Sequence, residues 1–272
     1  MTNRVSELNN LRLAVLIDAD NAPRDCLKSV MEEVAIYGTP TIKRIYGDWT
    51  SPNVGGWKTS LLENAVTPIQ QYGYTTGKNS TDSAMIIDAM DILYAGKTDG
   101  FVLVSSDSDF TRLAIRLREA GMRVIGIGER KTPGPFIVAC DKFVYIEVIR
   151  DSYNKEKVQE QAKATAAAAK KTSAKPAAPQ DKTAEKAAAR TIPDSIVALI
   201  ADSVADIADD DGACDMSYLG NLLIKKQPDF DSRNFGFGKL SSMIKAMPRF
   251  EIIFNPTTDP SNRIMYVKDK EA

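Results

Sequence analysis

Two short apolar runs, each ending in an Asp-x-Asp pair, constrain this chain more than any other feature. Leu11-Arg-Leu-Ala-Val-Leu-Ile17 stops at Asp18-Ala-Asp20-Asn21, and Phe101-Val-Leu-Val104 stops at Ser105-Ser-Asp107-Ser-Asp109. Short runs rich in Val, Ile, Leu and Phe read as strands buried on both faces, the kind that belongs to a parallel sheet. Open α/β sheets bind ligands outside the carboxyl ends of their strands. Both acidic pairs therefore fall where such a sheet places its chemistry.

The sequence between them alternates in the matching way. Cys26, Leu27, Val30, Met31 and Val34 have helical spacing, with Pro23 at the favoured first turn. Residues 41–46 read as a strand stopped by Gly47, 57–66 as a helix and 68–72 as a short strand. The clearest helix covers 80–94, capped by Ser80 or Thr81 and closed near Gly96. At about 100° per residue, Asp82 shares a face with Met85, Ile86, Ala89 and Leu93, while Asp88 and Asp91 turn toward solvent. A helix over 111–120 and a strand over 122–127 follow. This alternation predicts an α/β fold, a doubly wound and mainly parallel sheet that ends near residue 150.

Beyond that point the composition changes. Residues 151–190 are dominated by Ala, Lys, Gln, Thr and Pro, and read as a flexible basic linker. Residues 191–272 regain apolar periodicity, with helices expected over 193–208, 218–226 and 233–247 and strands over 250–254 and 263–267. Three helices and a β-hairpin describe a small winged-helix domain. The net charge of −1 divides as −1 over residues 1–150, +4 over 151–190 and −4 over 191–272. Contact with nucleic acid would thus rest on local patches rather than a global field.

Histidine is absent, which excludes Ser-His and Cys-His nucleophilic pairs and His-ligated zinc. The three cysteines, Cys26, Cys140 and Cys214, are widely spaced and odd in number, so neither a disulfide framework nor a thiolate metal site is expected. No apolar span is long enough for a membrane helix. Met1 to Leu8 lacks the basic-then-apolar pattern of a signal peptide, so a cytoplasmic location is expected.

Carboxylate chemistry remains. Asp18, Asp82, Asp107 and Asp109, from two strand ends and one helix start, are expected at one edge of the sheet. Four carboxylates in one pocket repel each other, and Mg²⁺ or Mn²⁺ would relieve that repulsion and serve phosphodiester hydrolysis. Asn21 would orient a ligand, with Asp20, Ser105, Ser106 and Asp88 as the surrounding support. Each acid also has a structural account: Asp18 and Asp20 could end a strand, Asp82 could answer a helix dipole and Asp109 could cap the helix after it. The conjunction favours a site. Asp18-Ala-Asp20 also resembles the nucleophile motif of haloacid-dehalogenase-like phosphatases, but it continues Asn21-Ala22-Pro23 instead of with small hydroxyl residues. Gly126-Ile-Gly128 lacks the third glycine of a dinucleotide loop, Lys131 standing in its place.

Leu16-Ile-Asp-Ala-Asp-Asn21, Thr81-Asp82 and Ser105-Ser-Asp-Ser-Asp-Phe110 together resemble the three acidic motifs of the NYN family of PIN-like ribonucleases. Phe230-Asp-Ser-Arg-Asn-Phe-Gly-Phe-Gly-Lys-Leu240 and Phe250-Glu-Ile-Ile-Phe254 are similar to the OST-HTH or LOTUS domain. The resemblances cover residues 11–150 and 192–268. They imply a metal-dependent endoribonuclease with Asp18, Asp82, Asp107 and Asp109 as ligands and Asn21 beside them. RNA, single-stranded or structured, is the implied partner, and a homodimer is a further expectation. Arg233, Lys239 and Lys245, with Lys78 and Arg112 in the nuclease domain, are the candidate phosphate contacts. Where many family members have a Gly-rich approach to the helix acid, this chain has Lys78-Asn-Ser-Thr81.

Overall fold

A computed structural model describes residues 11–51, 56–72, 80–155, 157, 192–256 and 263–272. Contacts divide the chain into two units, Met1–Arg150 with Ile224–Phe230, and Asp151–Leu223 with Asp231–Ala272.

In the first unit the apolar runs form strands as expected. β1 (Arg12–Asp18), β2 (Thr39–Gly47), β3 (Thr67–Gln70), β4 (Gly100–Val104), β5 (Arg123–Gly128) and β6 (Lys142–Tyr145) make one sheet in the order β3-β2-β1-β4-β5-β6. Every pairing is parallel. The order reverses between β1 and β4, which opens a crevice at their carboxyl ends.

Side-chain alternation separates two cores. Leu13, Val15 and Ile17 of β1, with Val102 and Val104 of β4, pack with α1 (Leu27–Tyr37), α2 (Lys58–Asn64) and residues of α6 (146–155). Ala14, Leu16, Phe101 and Leu103 point to the other face, against α3 (Ser80–Ala95), α4 (Thr111–Glu119) and α5 (Gly134–Ala139). Burying each such Leu, Val or Phe contributes about 1.5–3 kcal/mol, so both helical layers are held by hydrophobic burial. α5 and β6 were not expected, and α6 continues past residue 150.

Several local expectations change. Pro23 does not enter the first turn of α1; it is the extended residue before a short 3₁₀ turn, Arg24–Cys26. The buried stripe of α3 is Thr81, Met85, Ala89 and Ile92. That stripe leaves Asp91 exposed but brings Asp88 against the sheet, where Arg44 and Tyr46 of β2 bind it. The expected solvated position of Asp88 is therefore corrected.

The second unit contains α7 (Asp194–Ile207), β7 (Ala213–Asp215), most of α8 (Met216–Lys226), α9 (Leu240–Lys245), β8 (Phe250–Pro256) and β9 (Arg263–Asp269). The strands form an antiparallel sheet, β7-β9-β8. Ile196, Ile200, Val204, Leu219, Leu223, Met243, Ile244, Phe250 and Val267 are buried. The helix expected over 233–247 is two pieces, a 3₁₀ turn at Ser232–Phe235 and α9. Gly236 separates them with a left-handed φ of 80°, a conformation glycine adopts without a Cβ penalty. Most of the expected turn over 255–262 lies outside the described residues.

Candidate metal centre

The crevice between β1 and β4 receives the acids. Asp18 is the last residue of β1 and is fully buried. Strand alternation places it on the same face as Ala14 and Leu16, toward α3 and α4. Three donors hold its carboxylate: Asp20 N to Oδ1 at 3.0 Å, Asn21 Nδ2 to Oδ2 at 2.8 Å and Ser105 Oγ to Oδ2 at 2.8 Å. Burial raises its pKa against the opposing pull of those bonds.

The chain leaves β4 through Ser105 and Ser106, both buried. Ser105 Oγ accepts from Asp107 N at 3.1 Å, and Ser106 Oγ accepts from Glu129 N at 2.9 Å. Asp107 precedes a 3₁₀ turn, Ser108–Phe110, and its Oδ1 accepts from Asp109 N at 2.9 Å. Asp107 is therefore the cap of the 3₁₀ turn, and Phe110 is the residue at the N-cap of α4. Asp82 lies in the first turn of α3, where the helix N-terminus favours negative charge.

Asp82, Asp107 and Asp109 each offer a carboxylate oxygen, and the three oxygens lie within 4.8 Å of one another. Asp82 and Asp107 are half-buried and Asp109 is exposed. The pKa of Asp82 is pushed up to about 6, first by burial and then by the charges of Asp18, Asp107, Asp109 and Asp20. Asp18 is thus an electrostatic neighbour of the trio, though not one of its three members. A carboxylate has about four lone-pair sites, so the three donors leave Asp18 one acceptor position. Hard oxygen donors, mutual repulsion and partial burial all fit Mg²⁺ or Mn²⁺.

Other expected residues are placed as follows. Asp20 is exposed, and Asn21 is half-buried against Asp18. Asp88 is tied to Arg44 and Tyr46 instead of to an acid of the trio. Arg112 is exposed in the first turn of α4, three residues beyond Asp109. Lys78 lies outside the described residues. In the second unit, Lys239 and Lys245 are exposed, with Lys245 Nζ 5.8 Å from the centre of the Phe254 ring. Arg233 is paired with Asp231, Nη2 to Oδ2 at 2.7 Å, and Asp231 also accepts from its backbone N–H.

The Arg44–Tyr46–Asp88 contact was missed, although Arg44 and Tyr46 sit two apart on one strand face. The glycines of Gly126-Ile-Gly128 also find a structural reason. A Cβ at Gly126 would meet Phe143 Cδ2 at 2.5 Å, and one at Gly128 would meet the Ser105 carbonyl at 2.6 Å.

Comparison with known proteins agrees with the motifs. The NYN domain family matches residues 12–147, and the OST-HTH/LOTUS domain matches residues 189–261. No curated protein matches the chain. Among solved structures, a Vibrio parahaemolyticus protein of unknown function is 20% identical, covering 51% of this chain and 94% of its own at a TM-score of 0.44. An uncharacterized Nitrosomonas europaea protein is 30% identical over 36% of this chain and 88% of its own, with a TM-score of 0.25. A Chromobacterium violaceum fragment is 24% identical over 31% and 87%, with a TM-score of 0.24. These three likenesses carry no weight for function. Among the described residues no helix is long and apolar enough to cross a membrane. With an NYN match over half its length and an α/β sheet that brings three of the expected acids together, the chain belongs to the NYN domain family and carries an OST-HTH/LOTUS domain after it.

Proposed function

We propose that this protein is a metal-dependent endoribonuclease that holds Mg²⁺ or Mn²⁺ at Asp82, Asp107 and Asp109, with Asp18 beside them. The observation that carries this reading is the carboxylate trio at the switch point of a parallel sheet, with Asp82 raised by its acidic neighbours. A divalent cation there would lower the pKa of a water and neutralise charge on a phosphodiester. The residues of the chain hold and orient. Asp107 fixes its own turn through Asp109 N, Ser105 braces that turn against Asp18, and Asn21 keeps Asp18 in place.

The domain division 1–150, 151–190 and 191–272 belongs to the same proposal, as does a cytoplasmic location. The OST-HTH/LOTUS unit would bind RNA, with Lys239 and Lys245 as contacts, and so raise its local concentration at the acids. A homodimer gains no support from the comparisons, and the reading requires one copy only.

Asp18 is a poor candidate for a phosphatase nucleophile, because it is buried and its oxygens take three hydrogen bonds. The deciding experiment incubates the full chain with labelled RNAs in Mn²⁺, Mg²⁺ or EDTA, beside Asp107→Asn. Internal cleavage that needs metal and is lost in the variant is expected. Equal cleavage by the variant, or none by the wild type across diverse RNAs, overturns the catalytic claim. RNA binding without cleavage would indicate a non-catalytic adaptor.

A further inference from the structure

A second loop, Glu129-Arg-Lys-Thr132, stands beside the acids at the carboxyl edge of the sheet, where β5 ends. It is fastened to the loop that carries Asp107. Ser105 N donates to Ile127 O at 3.0 Å, and Glu129 N donates to Ser106 Oγ at 2.9 Å. Thr132 closes the loop on itself, its N and Oγ1 both donating to Glu129 O, at 2.9 and 2.6 Å. Neighbouring strands lie about 4.8 Å apart, so this frame begins one strand away from the loop of Asp107 and Asp109.

The frame presents two cations. Arg130 is exposed, its guanidinium 5.2 Å from the centre of the Tyr145 ring, and its backbone N–H donates to Glu147 Oε1 at 3.0 Å. The Lys131 side chain is 69% exposed and pairs with Glu129 at 2.6 Å. Solvent screens an exposed pair of this kind, so Lys131 can exchange Glu129 for another anion.

An acidic trio repels the RNA backbone on either side of the bond it would cut, and the first 150 residues carry no net positive charge to offset this. Phosphate contacts that fix register must therefore come from nearby cations. We propose that Arg130 and Lys131 form a phosphate-binding subsite that grips the RNA backbone next to the bond presented to Asp82, Asp107 and Asp109. Glu129 acts as an internal competitor, occupying Lys131 until a phosphate displaces it. This inference rests on the ribonuclease reading.

The two readings are separable in one series. Binding of fluorescein-labelled single-stranded RNAs of several sequences is measured in Mg²⁺ over a range of salt, using the full chain with Asp107→Asn so that substrate survives. Lys131→Gln, Arg130→Gln, Glu129→Gln and Lys97→Gln are added singly, the last altering an exposed lysine at the opposite edge. Lys131→Gln and Arg130→Gln are expected to weaken binding several-fold whatever the sequence, lowering the slope of log affinity against log salt by about 0.7 each. Glu129→Gln tightens binding, and Lys97→Gln leaves it unchanged. A merely structural Glu129–Lys131 pair would move both of its variants in the same direction, and that result overturns the proposal. So does a Lys131→Gln effect no larger than that of Lys97→Gln. Lys131→Arg, which keeps the charge, restores binding if the loss comes from charge and not from misfolding. Wild-type cleavage is assayed in parallel. Cleavage with no effect of the loop variants overturns the subsite alone, whereas RNA neither bound nor cut overturns both readings.

Discussion

Ser105 joins the two acidic turns: its hydroxyl donates to Asp18 Oδ2 at 2.8 Å, while the same oxygen accepts from Asp107 N at 3.1 Å. One small side chain thus sets the position of a buried carboxylate and the start of the turn that carries two exposed or half-buried ones. An alanine there would fill the space and lose both functions.

Ser105→Ala removes one of the three donors to Asp18 and leaves Asp107 N without its acceptor. Losing a partner of a buried charged group costs about 1–3 kcal/mol. Denaturant unfolding should show a loss of that size, and metal affinity measured by calorimetry should fall with it.

The raised pKa of Asp82, about 6, makes a signed pH prediction. Folding favours its protonated form relative to the unfolded chain, where the carboxyl has its ordinary value of 3.8. Without metal, the Asp82 contribution to stability is therefore full below pH 3.8 and is lost as pH rises toward about 6. Asp82→Asn should remove that component of the pH dependence in thermal melts. Metal binding runs the opposite way, because the cation needs the ionised form: affinity should drop as pH falls below about 6.

Asp88 holds α3, and so Asp82, to β2. Tyr46 is fully buried, and its pKa is raised by burial and by Asp88. Asp88→Ala strands that hydroxyl at a cost of about 1–3 kcal/mol and lets the start of α3 shift. Reduced metal affinity is expected in Asp88→Ala, with the milder Tyr46→Phe showing a smaller loss of stability by denaturant unfolding.

Gly128→Ala places a Cβ 2.6 Å from the Ser105 carbonyl and 2.7 Å from Thr132 Oγ1. Both neighbours belong to the locked loops, so relief requires backbone movement, at about 1–3 kcal/mol. A lower Tm together with weaker metal binding is the expected result; stability lost without any change in metal affinity would show that the loops move independently of the acids.

Much of this was legible in the sequence because strands buried on both faces have a plain signature. The apolar runs of β1 and β4 announced themselves, and so did the acids that end them. Shorter elements carry too few residues for periodicity to speak: α5 spans Gly134–Ala139, and β6 spans Lys142–Tyr145 and begins with a charge. Asp88 was misplaced for a geometric reason. The buried stripe of α3 runs through Thr81, Met85, Ala89 and Ile92, so at about 100° per residue Asp82 and Asp88 border it on opposite sides. An expectation centred on Asp82 pushed Asp88 outward. The capping role of Asp107 was not anticipated, because the 3₁₀ turn Ser108–Phe110 that it caps stands before α4. The pairing of Arg233 with Asp231 was not anticipated, because sequence gives charge but not partners.

The sheet order also governs when the site can exist. Asp18 and Ser105 stand 87 positions apart, and the strands that carry them pair only after everything between has been synthesised. While the chain is still growing, Asp18 waits without Ser105, and Asp82 without Asp107 and Asp109. The acids can thus come together only once β4 and the turn after it have left the ribosome, late in the synthesis of the first unit.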